Sequence, residues 1–194
     1  MVKTTEDKVD ITNNTILGDV ITAKGDTEFK SDTTISNNVV EGDVISTEGK
    51  FTTGKELTIS DNKTNGNIII ADSNVTLNGK TNITNNSEVG KSIIITKGTL
   101  DANEELNVSN NNFSLNDNVS MIEVDGAINV NKNVTLDGKK AVRASKSIKS
   151  AKGVVKVATD STLSVTNNTP NRATSGVQAV VMPESVIKWN HRWR

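Results

Sequence analysis

The sequence lacks cysteine and tyrosine, and it contains one histidine and two prolines among 194 residues. Without cysteine there are no disulfides, thiolate metal sites or cysteine nucleophiles, and a lone histidine excludes a zinc site built from several histidines. Aromatic residues make up only 3% of the chain. Because thick cores depend on aromatic side chains, and because the abundant Asn and Thr are weak helix formers, this composition disfavours a compact globular enzyme.

Net charge and long hydrophobic runs are also lacking. Lys and Arg total 22 against 23 Asp and Glu, which leaves a net charge of −1. The chain therefore has no overall field that would attract nucleic acid, and we expect none to bind. Apolar runs such as residues 68–71 and 93–95 are far shorter than the roughly 20 residues of a membrane-spanning helix. Residues 1–8 lack the apolar stretch of a signal peptide, and we expect no membrane insertion.

What the sequence does contain is a repeat of about two dozen residues. Residues 20–25 (VITAKG) match residues 44–49 (VISTEG), and residues 34–38 (TISNN) match residues 58–62 (TISDN). Each unit holds about three short segments rich in Ile, Val, Thr and Leu, separated by Gly, Asn and Asp, which are strand and turn compositions. Within the segments apolar and polar residues alternate, as where Thr58 lies between two apolar residues, and this period of two predicts strands.

The fixed period distinguishes between two all-β architectures. In an antiparallel sandwich, equivalent residues of successive hairpins have no reason to match, whereas in a parallel β-helix they stack directly on one another. Asn pairs recur at one position of the repeat, where they can form an amide ladder and supply the left-handed backbone of a sharp corner. We therefore predict a right-handed parallel β-helix of about six coils over residues 9–168, between a polar segment (1–8) and a C-terminal cap or interaction tail (169–194).

The segments LTISDN, TTISNN, TNITNNS and LSVTNNT carry a family resemblance. They resemble the repeats of polymorphic outer membrane proteins and related autotransporter adhesin passengers. The resemblance covers about residues 9–168. It implies a right-handed β-helical passenger, a role in adhesion and a location outside the cell or on its surface.

Two groups of residues are candidates for binding. The first is a basic stretch without intervening acids, which forms either a binding face for an anionic ligand or an ordinary solvated strand face: Lys139, Lys140, Arg143, Lys146, Lys149, Lys152 and Lys156. The second lies at the C-terminus, either as part of a cap or as an interface to another chain, since Trp and Arg are enriched in binding hot spots: Trp189, His191, Arg192, Trp193 and Arg194. Contact through the second group includes the possibility of a homo-oligomer.

The acidic residues are spread over the turns and form no catalytic cluster. Asp19 and Asp43 occupy equivalent corners and are predicted to stack one coil apart, where single carboxylates usually bind nothing. We therefore expect no enzyme activity, no cofactor and no metal. His191 stands alone and is interpreted as a packing or interface residue.

The leading functional hypothesis is a structural or adhesive module that is displayed on a cell surface or in a larger assembly and binds a glycan or protein surface. The alternative is a phage virion component, such as a tail spike or decoration protein. A glycan lyase or hydrolase with a β-helix fold is the third hypothesis.

Overall fold

The computed structural model of the chain describes residues 2–3, 7–114, 119–137, 144–150, 155–166 and 188–189. Every regular element in these residues is a short β-strand: β1 (Val2–Lys3), β2 (Val9–Thr12), β3 (Thr15–Ile16), β4 (Ile21–Ala23), β5 (Thr27–Phe29), β6 (Thr33–Ser36), β7 (Val39–Val40), β8 (Ile45–Thr47), β9 (Phe51–Thr53), β10 (Leu57–Ser60), β11 (Lys63–Thr64), β12 (Ile69–Ala71), β13 (Val75–Leu77), β14 (Thr81–Thr84), β15 (Ile94–Thr96), β16 (Leu100–Ala102), β17 (Leu106–Ser109), β18 (Val119–Val124), β19 (Ile128–Val130), β20 (Val134–Asp137), β21 (Ala144–Ser150), β22 (Val155–Val157), β23 (Leu163–Thr166) and β24 (Lys188–Trp189).

These strands form four parallel sheets that the chain visits in a fixed order. Each turn passes through a six-stranded sheet (β4, β8, β12, β15, β18, β21), then a seven-stranded sheet (β1, β5, β9, β13, β16, β19, β22), then an eight-stranded sheet (β2, β6, β10, β14, β17, β20, β23, β24). A three-stranded sheet (β3, β7, β11) lies at the last corner of the early turns. The predicted all-β parallel solenoid is confirmed. It has about five turns, counted as the steps between the six strands of the first sheet, rather than about six coils.

Equivalent residues of successive turns stack directly. In the eight-stranded sheet Ile35 pairs with Ile59, and Ile59 pairs with Ile83, so these two turns have the same length. The turn that leads to Val108 is longer by one residue, and the turn that leads on to Leu136 is longer still. The strands nevertheless stay in register, because the extra residues are inserted between strands and not within them.

The core consists of stacked aliphatic side chains on the inward face of each strand. Ile59 and Val108 are completely buried, whereas Thr58 and Asn107 are only half-buried, so the predicted orientation of these four residues is confirmed. Two phenylalanines on neighbouring turns of the seven-stranded sheet add an edge-to-face contact, with ring centroids 5.2 Å apart. Short strands enclose a narrow interior, and stacked Ile, Val and Leu fill it with few aromatic residues.

The corners after β2, β6, β10, β14 and β17 of the eight-stranded sheet have left-handed backbone. The residues there have φ between 57° and 60°: Asn13, Asn37, Asp61, Asn85 and Asn110. Asn and Asp tolerate this conformation better than other residues with a side chain, which explains why the first member of each recurrent pair is Asn or Asp. The left-handed corner predicted from the Asn pairs is confirmed.

Both segments outside the predicted repeats contribute a strand. β1, within residues 1–8, pairs in parallel with β5. β24, within residues 169–194, pairs with β23 and places Lys188 beside Ser164 and Trp189 beside Val165. Lys188 follows Ser164 at the same separation along the chain as Ile59 follows Ile35, so β24 occupies the position of the next strand in the eight-stranded sheet.

Candidate functional site

The eight-stranded sheet has a regular outer surface, which we call the polar face. It consists of two columns of outward side chains whose residues are stacked in register from β2 to β23. The first column contains Asp10, Thr34, Thr58, Asn82, Asn107, Thr135 and Ser164. The second column contains Thr12, Ser36, Ser60, Thr84, Ser109, Asp137 and Thr166.

Strand length explains why this sheet has two outward columns. Seven of its strands contain four residues, so that each has two outward positions. Most strands of the seven-stranded sheet contain three residues, of which only the middle one points outward. The polar face is therefore the wider surface of the two.

The spacing of the polar face follows from β-sheet geometry. Adjacent strands lie roughly 4.8 Å apart, and outward positions within one strand lie roughly 7 Å apart, so the face extends for about 29 Å from β2 to β23. Of its residues only Asp10 and Asp137 are acidic, and none is basic. Asp10 forms an ion pair with Lys8 at 3.3 Å. The resulting surface is long, narrow and close to neutral.

Most side chains of the polar face are available to a ligand. The hydroxyls of Thr58, Ser60, Thr84 and Ser109 form no hydrogen bond within the described part of the chain, and each of these residues is half-buried. Asn82 donates a single hydrogen bond from Nδ2 to Oε1 of Glu56 at 3.2 Å. A flat row of hydroxyls with donor and acceptor capacity thus faces outward in the middle of the sheet.

An asparagine ladder, buried except at its first member, lies directly behind one edge of this face. It consists of Asn14, Asn38, Asn62, Asn86 and Asn111, the second members of the recurrent pairs. In the middle of the ladder, the backbone N–H and Nδ2 of Asn38 both donate to Oδ1 of Asn62 at 3.0 Å. Nδ2 of Asn62 donates to Oδ1 of Asn86 at 3.0 Å and to the carbonyl of Ile35 at 2.9 Å. The predicted amide ladder is confirmed.

The ladder holds the polar face rigid. Asn62 and Asn86 are completely buried and use their donors and acceptors within the protein. Since each amide links three turns, the spacing of the strands on which the hydroxyls are mounted is set by a continuous row of buried hydrogen bonds. A ligand that matches this spacing meets a surface that is already ordered.

Asp19 and Asp43, which the sequence predicts to stack one coil apart, each accept a hydrogen bond from the next turn. The backbone N–H of Asp43 donates to Oδ1 of Asp19 at 2.7 Å, and the N–H of Asn67 donates to Oδ1 of Asp43 at 2.6 Å. The side chain of Asp19 also accepts a hydrogen bond from the hydroxyl of Thr22. These carboxylates act as corner acceptors that link consecutive turns. Among the described residues no three His, Asp or Glu side chains come together as a possible metal site.

The structure describes only part of the predicted basic stretch. Lys146 and Lys149 lie on β21 of the six-stranded sheet, and Lys156 lies on β22 of the seven-stranded sheet. The backbone therefore divides these three residues between two sheets. Lys156 is exposed next to Asn129 of the preceding turn. Four members lie outside the described residues: Lys139, Lys140, Arg143 and Lys152.

Of the predicted C-terminal binding residues, only the backbone of Trp189 is described, as part of β24. Its partner in the register, Val165, belongs to the buried column of the eight-stranded sheet. The remaining members lie outside the described residues: His191, Arg192, Trp193 and Arg194.

Sequence reasoning did not identify the polar face as a candidate site. The signal was present, since the segments VDIT, TTIS, LTIS, TNIT, LNVS and LSVT all place polar residues at their second and fourth positions. Recognising the site requires the knowledge that these segments form four-residue strands of one sheet, which only the register of the turns provides.

In comparisons with known proteins, no family model, no curated protein and no solved structure matches the chain. Within the described residues there is also no helix with the length and apolar character needed to span a membrane.

Proposed function

We propose that this protein is a non-enzymatic structural and adhesive module, exposed on a cell surface or in a larger assembly, and that its polar face binds a glycan. The observation that carries the proposal is the pair of outward hydroxyl and amide columns on the eight-stranded sheet. These columns place a hydroxyl, amide or carboxylate side chain at each turn, roughly 4.8 Å from the next, and most of these side chains are hydroxyls.

Repetition compensates for weak individual contacts. A single exposed hydroxyl competes with water and contributes little net free energy to binding. A ligand with many linked polar groups gains from each further contact after the first, because the later contacts form at a high effective concentration. A neutral polysaccharide has hydroxyls along its whole length, and the near absence of charge on the face favours such a ligand over an anionic polymer.

Carboxylates elsewhere on the solenoid support a non-enzymatic role. Asp19 and Asp43 accept backbone hydrogen bonds at corners. Others form ion pairs between neighbouring turns, such as Asp72 with Lys97 at 2.8 Å and Glu88 with Lys63 at 2.8 Å. In each of these contacts the carboxylate links turns of the solenoid, which is a structural role.

Binding to immobilised neutral polysaccharides tests the proposal, with the variant Ser60→Glu/Thr84→Glu as the probe. Both residues lie in the middle of the second column. The matched control is Thr52→Glu/Thr76→Glu, which adds the same charge at paired outward positions of the seven-stranded sheet. We expect the face variant to lose at least about tenfold in affinity while the control stays within about twofold, since charges far from the contact change binding little.

Circular dichroism melts of both variants serve as the folding control, because the exchanged side chains point outward and should leave the melts unchanged. Equal losses of affinity in the two variants would show that the polar face is not the glycan-binding site. Failure of the unmodified protein to bind any neutral polysaccharide would reject the adhesive function toward glycans.

A further inference from the structure

Two asparagines lie next to each other in the middle of the polar face. Asn82 on β14 pairs in register with Asn107 on β17, and the residues two positions further on, Thr84 and Ser109, pair in the same way. All four side chains point outward and are half-buried. Adjacent strands are roughly 4.8 Å apart, and outward positions of one strand are roughly 7 Å apart. These four residues, which we call the central quartet, therefore form a patch about the size of one sugar unit.

The amides of Asn82 and Asn107 are not hydrogen-bonded to each other, unlike the amides of two other columns of stacked asparagines. The asparagine ladder links its amides from turn to turn, and at an outer corner Nδ2 of Asn103 donates to Oδ1 of Asn78 at 2.7 Å. Asn82 donates instead to Oε1 of Glu56 on the preceding turn, at 3.2 Å. The stacking of the two asparagines in the central quartet therefore does not build a ladder.

These two amides keep most of their hydrogen-bonding capacity. Each asparagine side chain has two N–H donors and a carbonyl acceptor. Within the residues that the structure describes, Asn82 uses one donor and Asn107 uses none. The hydroxyls of Thr84 and Ser109 beside them also form no hydrogen bond in this part of the chain. The central quartet thus presents donors and acceptors together, without a charge of its own.

We infer, on the basis of the proposed glycan-binding function, that the central quartet recognises the acetamido group of a neutral N-acetylated glycan. In this contact the acetamido N–H donates to Oδ1 of one asparagine, and the acetamido C=O accepts from Nδ2 of the other. The hydroxyls of Thr84 and Ser109 contact ring hydroxyls of the same sugar unit. The polar face thereby distinguishes N-acetylated sugars from sugars that carry hydroxyls alone.

The chemistry of the amide pair favours an acetamido group over a sugar hydroxyl or a carboxylate. The N–H and C=O of an acetamido group point in opposite directions, so that one group engages both asparagines, whereas a hydroxyl presents its donor and its acceptor at a single oxygen. An acidic sugar finds no basic side chain on the polar face. The carboxylate of Glu56 beside Asn82 would also repel it.

Titration calorimetry with chitohexaose and cellohexaose tests the inference. These two neutral hexasaccharides have the same β-1,4 linkage and differ only in the acetamido group that replaces one hydroxyl on each sugar. The unmodified protein should bind chitohexaose at least about tenfold more tightly, because each additional hydrogen bond raises the affinity several-fold. In Asn82→Thr/Asn107→Thr, which extends the first column with the residue type of Thr58 and Thr135, the two affinities should agree within about twofold.

The matched control is Asn78→Thr/Asn103→Thr, which makes the same exchange at two stacked asparagines of an outer corner. This protein should retain the preference of about tenfold for chitohexaose, because its exchanged residues lie outside the polar face. Circular dichroism melts establish that both variants are folded.

Equal affinity of the unmodified protein for the two hexasaccharides would overturn the inference and leave the proposed function intact. A preference that survives in Asn82→Thr/Asn107→Thr would also overturn it, because another part of the protein would then recognise the acetamido group. Binding of another neutral polysaccharide but of neither hexasaccharide would again overturn the inference alone. Failure to bind any neutral polysaccharide would reject the proposed function toward glycans and the inference with it.

Discussion

The exchange Asn62→Ala tests the role of the asparagine ladder in stability. Asn62 is completely buried and forms four side-chain hydrogen bonds, at 2.9 to 3.0 Å, with Asn38, Asn86 and Ile35. Alanine removes all four and leaves the backbone N–H and one amide N–H of Asn38 without acceptors in the interior. Exchange at this position should therefore be among the most destabilising polar-to-alanine changes in the solenoid.

The magnitude follows from the two orphaned donors. Each buried group that loses its partner costs about 1–3 kcal/mol, so the exchange should lower the free energy of unfolding by about 2–6 kcal/mol. The acceptors that lose the amide group of Asn62 add less to the loss of stability. Oδ1 of Asn86 still accepts from the backbone N–H of residue 62, at 3.0 Å in the unmodified protein. Asn14→Ala at the exposed end of the ladder should cost less than half as much, because its side chain forms only two hydrogen bonds and is open to water.

Urea denaturation followed by far-ultraviolet circular dichroism measures the difference. Asn107→Ala is the matched control, since Asn107 is half-buried on the polar face and its side chain forms no hydrogen bond within the described chain. Exposed exchanges of this kind usually stay within about 0.5 kcal/mol. If Asn62→Ala shifts the unfolding midpoint no more than Asn107→Ala does, the ladder does not stabilise the fold and the reasoning fails.

Three further exchanges test other features. Ile59→Asp should prevent folding, because it buries an unpaired charge at a completely buried position, whereas Thr58→Asp should leave the thermal melt nearly unchanged; equal tolerance of both would contradict the strand register. Asn37→Val, at φ 57°, should cost about 1–2 kcal/mol in urea denaturation, whereas Asn37→Gly should not, and a neutral valine would disprove the need for a left-handed corner. Gly79→Ala places a Cβ 1.7 Å from the carbonyl oxygen of Lys55 and should lower the free energy of unfolding by about 1–3 kcal/mol. In the control Gly54→Ala the nearest atom lies 3.5 Å from the Cβ, so the free energy of unfolding should change little.

The sequence predicts the solenoid because its repeat and its alternation agree. The repeat of about two dozen residues identifies the turns, and the period of two identifies the inward face, as Ile59 and Thr58 show. The Asn pairs predict the corner and the ladder because both members have a physical reason to be Asn. Asn62 belongs to the ladder although Asp61 precedes it, since Asp also adopts the left-handed conformation.

Other features depend on information that the sequence does not contain. Strands of two residues, such as β1, β7 and β24, are too short for alternation to be recognised. The sequence also leaves open whether the stacked Asp19 and Asp43 face solvent or accept hydrogen bonds, because this depends on the position of the backbone N–H groups of the next turn. The width of the polar face depends on strands of four residues, and their ends are defined by corner hydrogen bonds such as that from Asn37 to the carbonyl of Ser60.

The residue types at the outward strand positions distinguish side chains that stabilise the fold from side chains that the fold does not need. Threonine on an outward strand position needs no special explanation, because it has a high β propensity, but asparagine is depleted in strands. Asn129 on the seven-stranded sheet is explained by its hydrogen bond from Nδ2 to Oδ1 of Asp101 at 2.6 Å. Asn107 on the polar face has no such bond within the described chain, and Asn82 has only one, at 3.2 Å. These two amides lie side by side in the middle of the first column, and their few hydrogen bonds within the described chain leave donors and acceptors for the glycan contact that we propose.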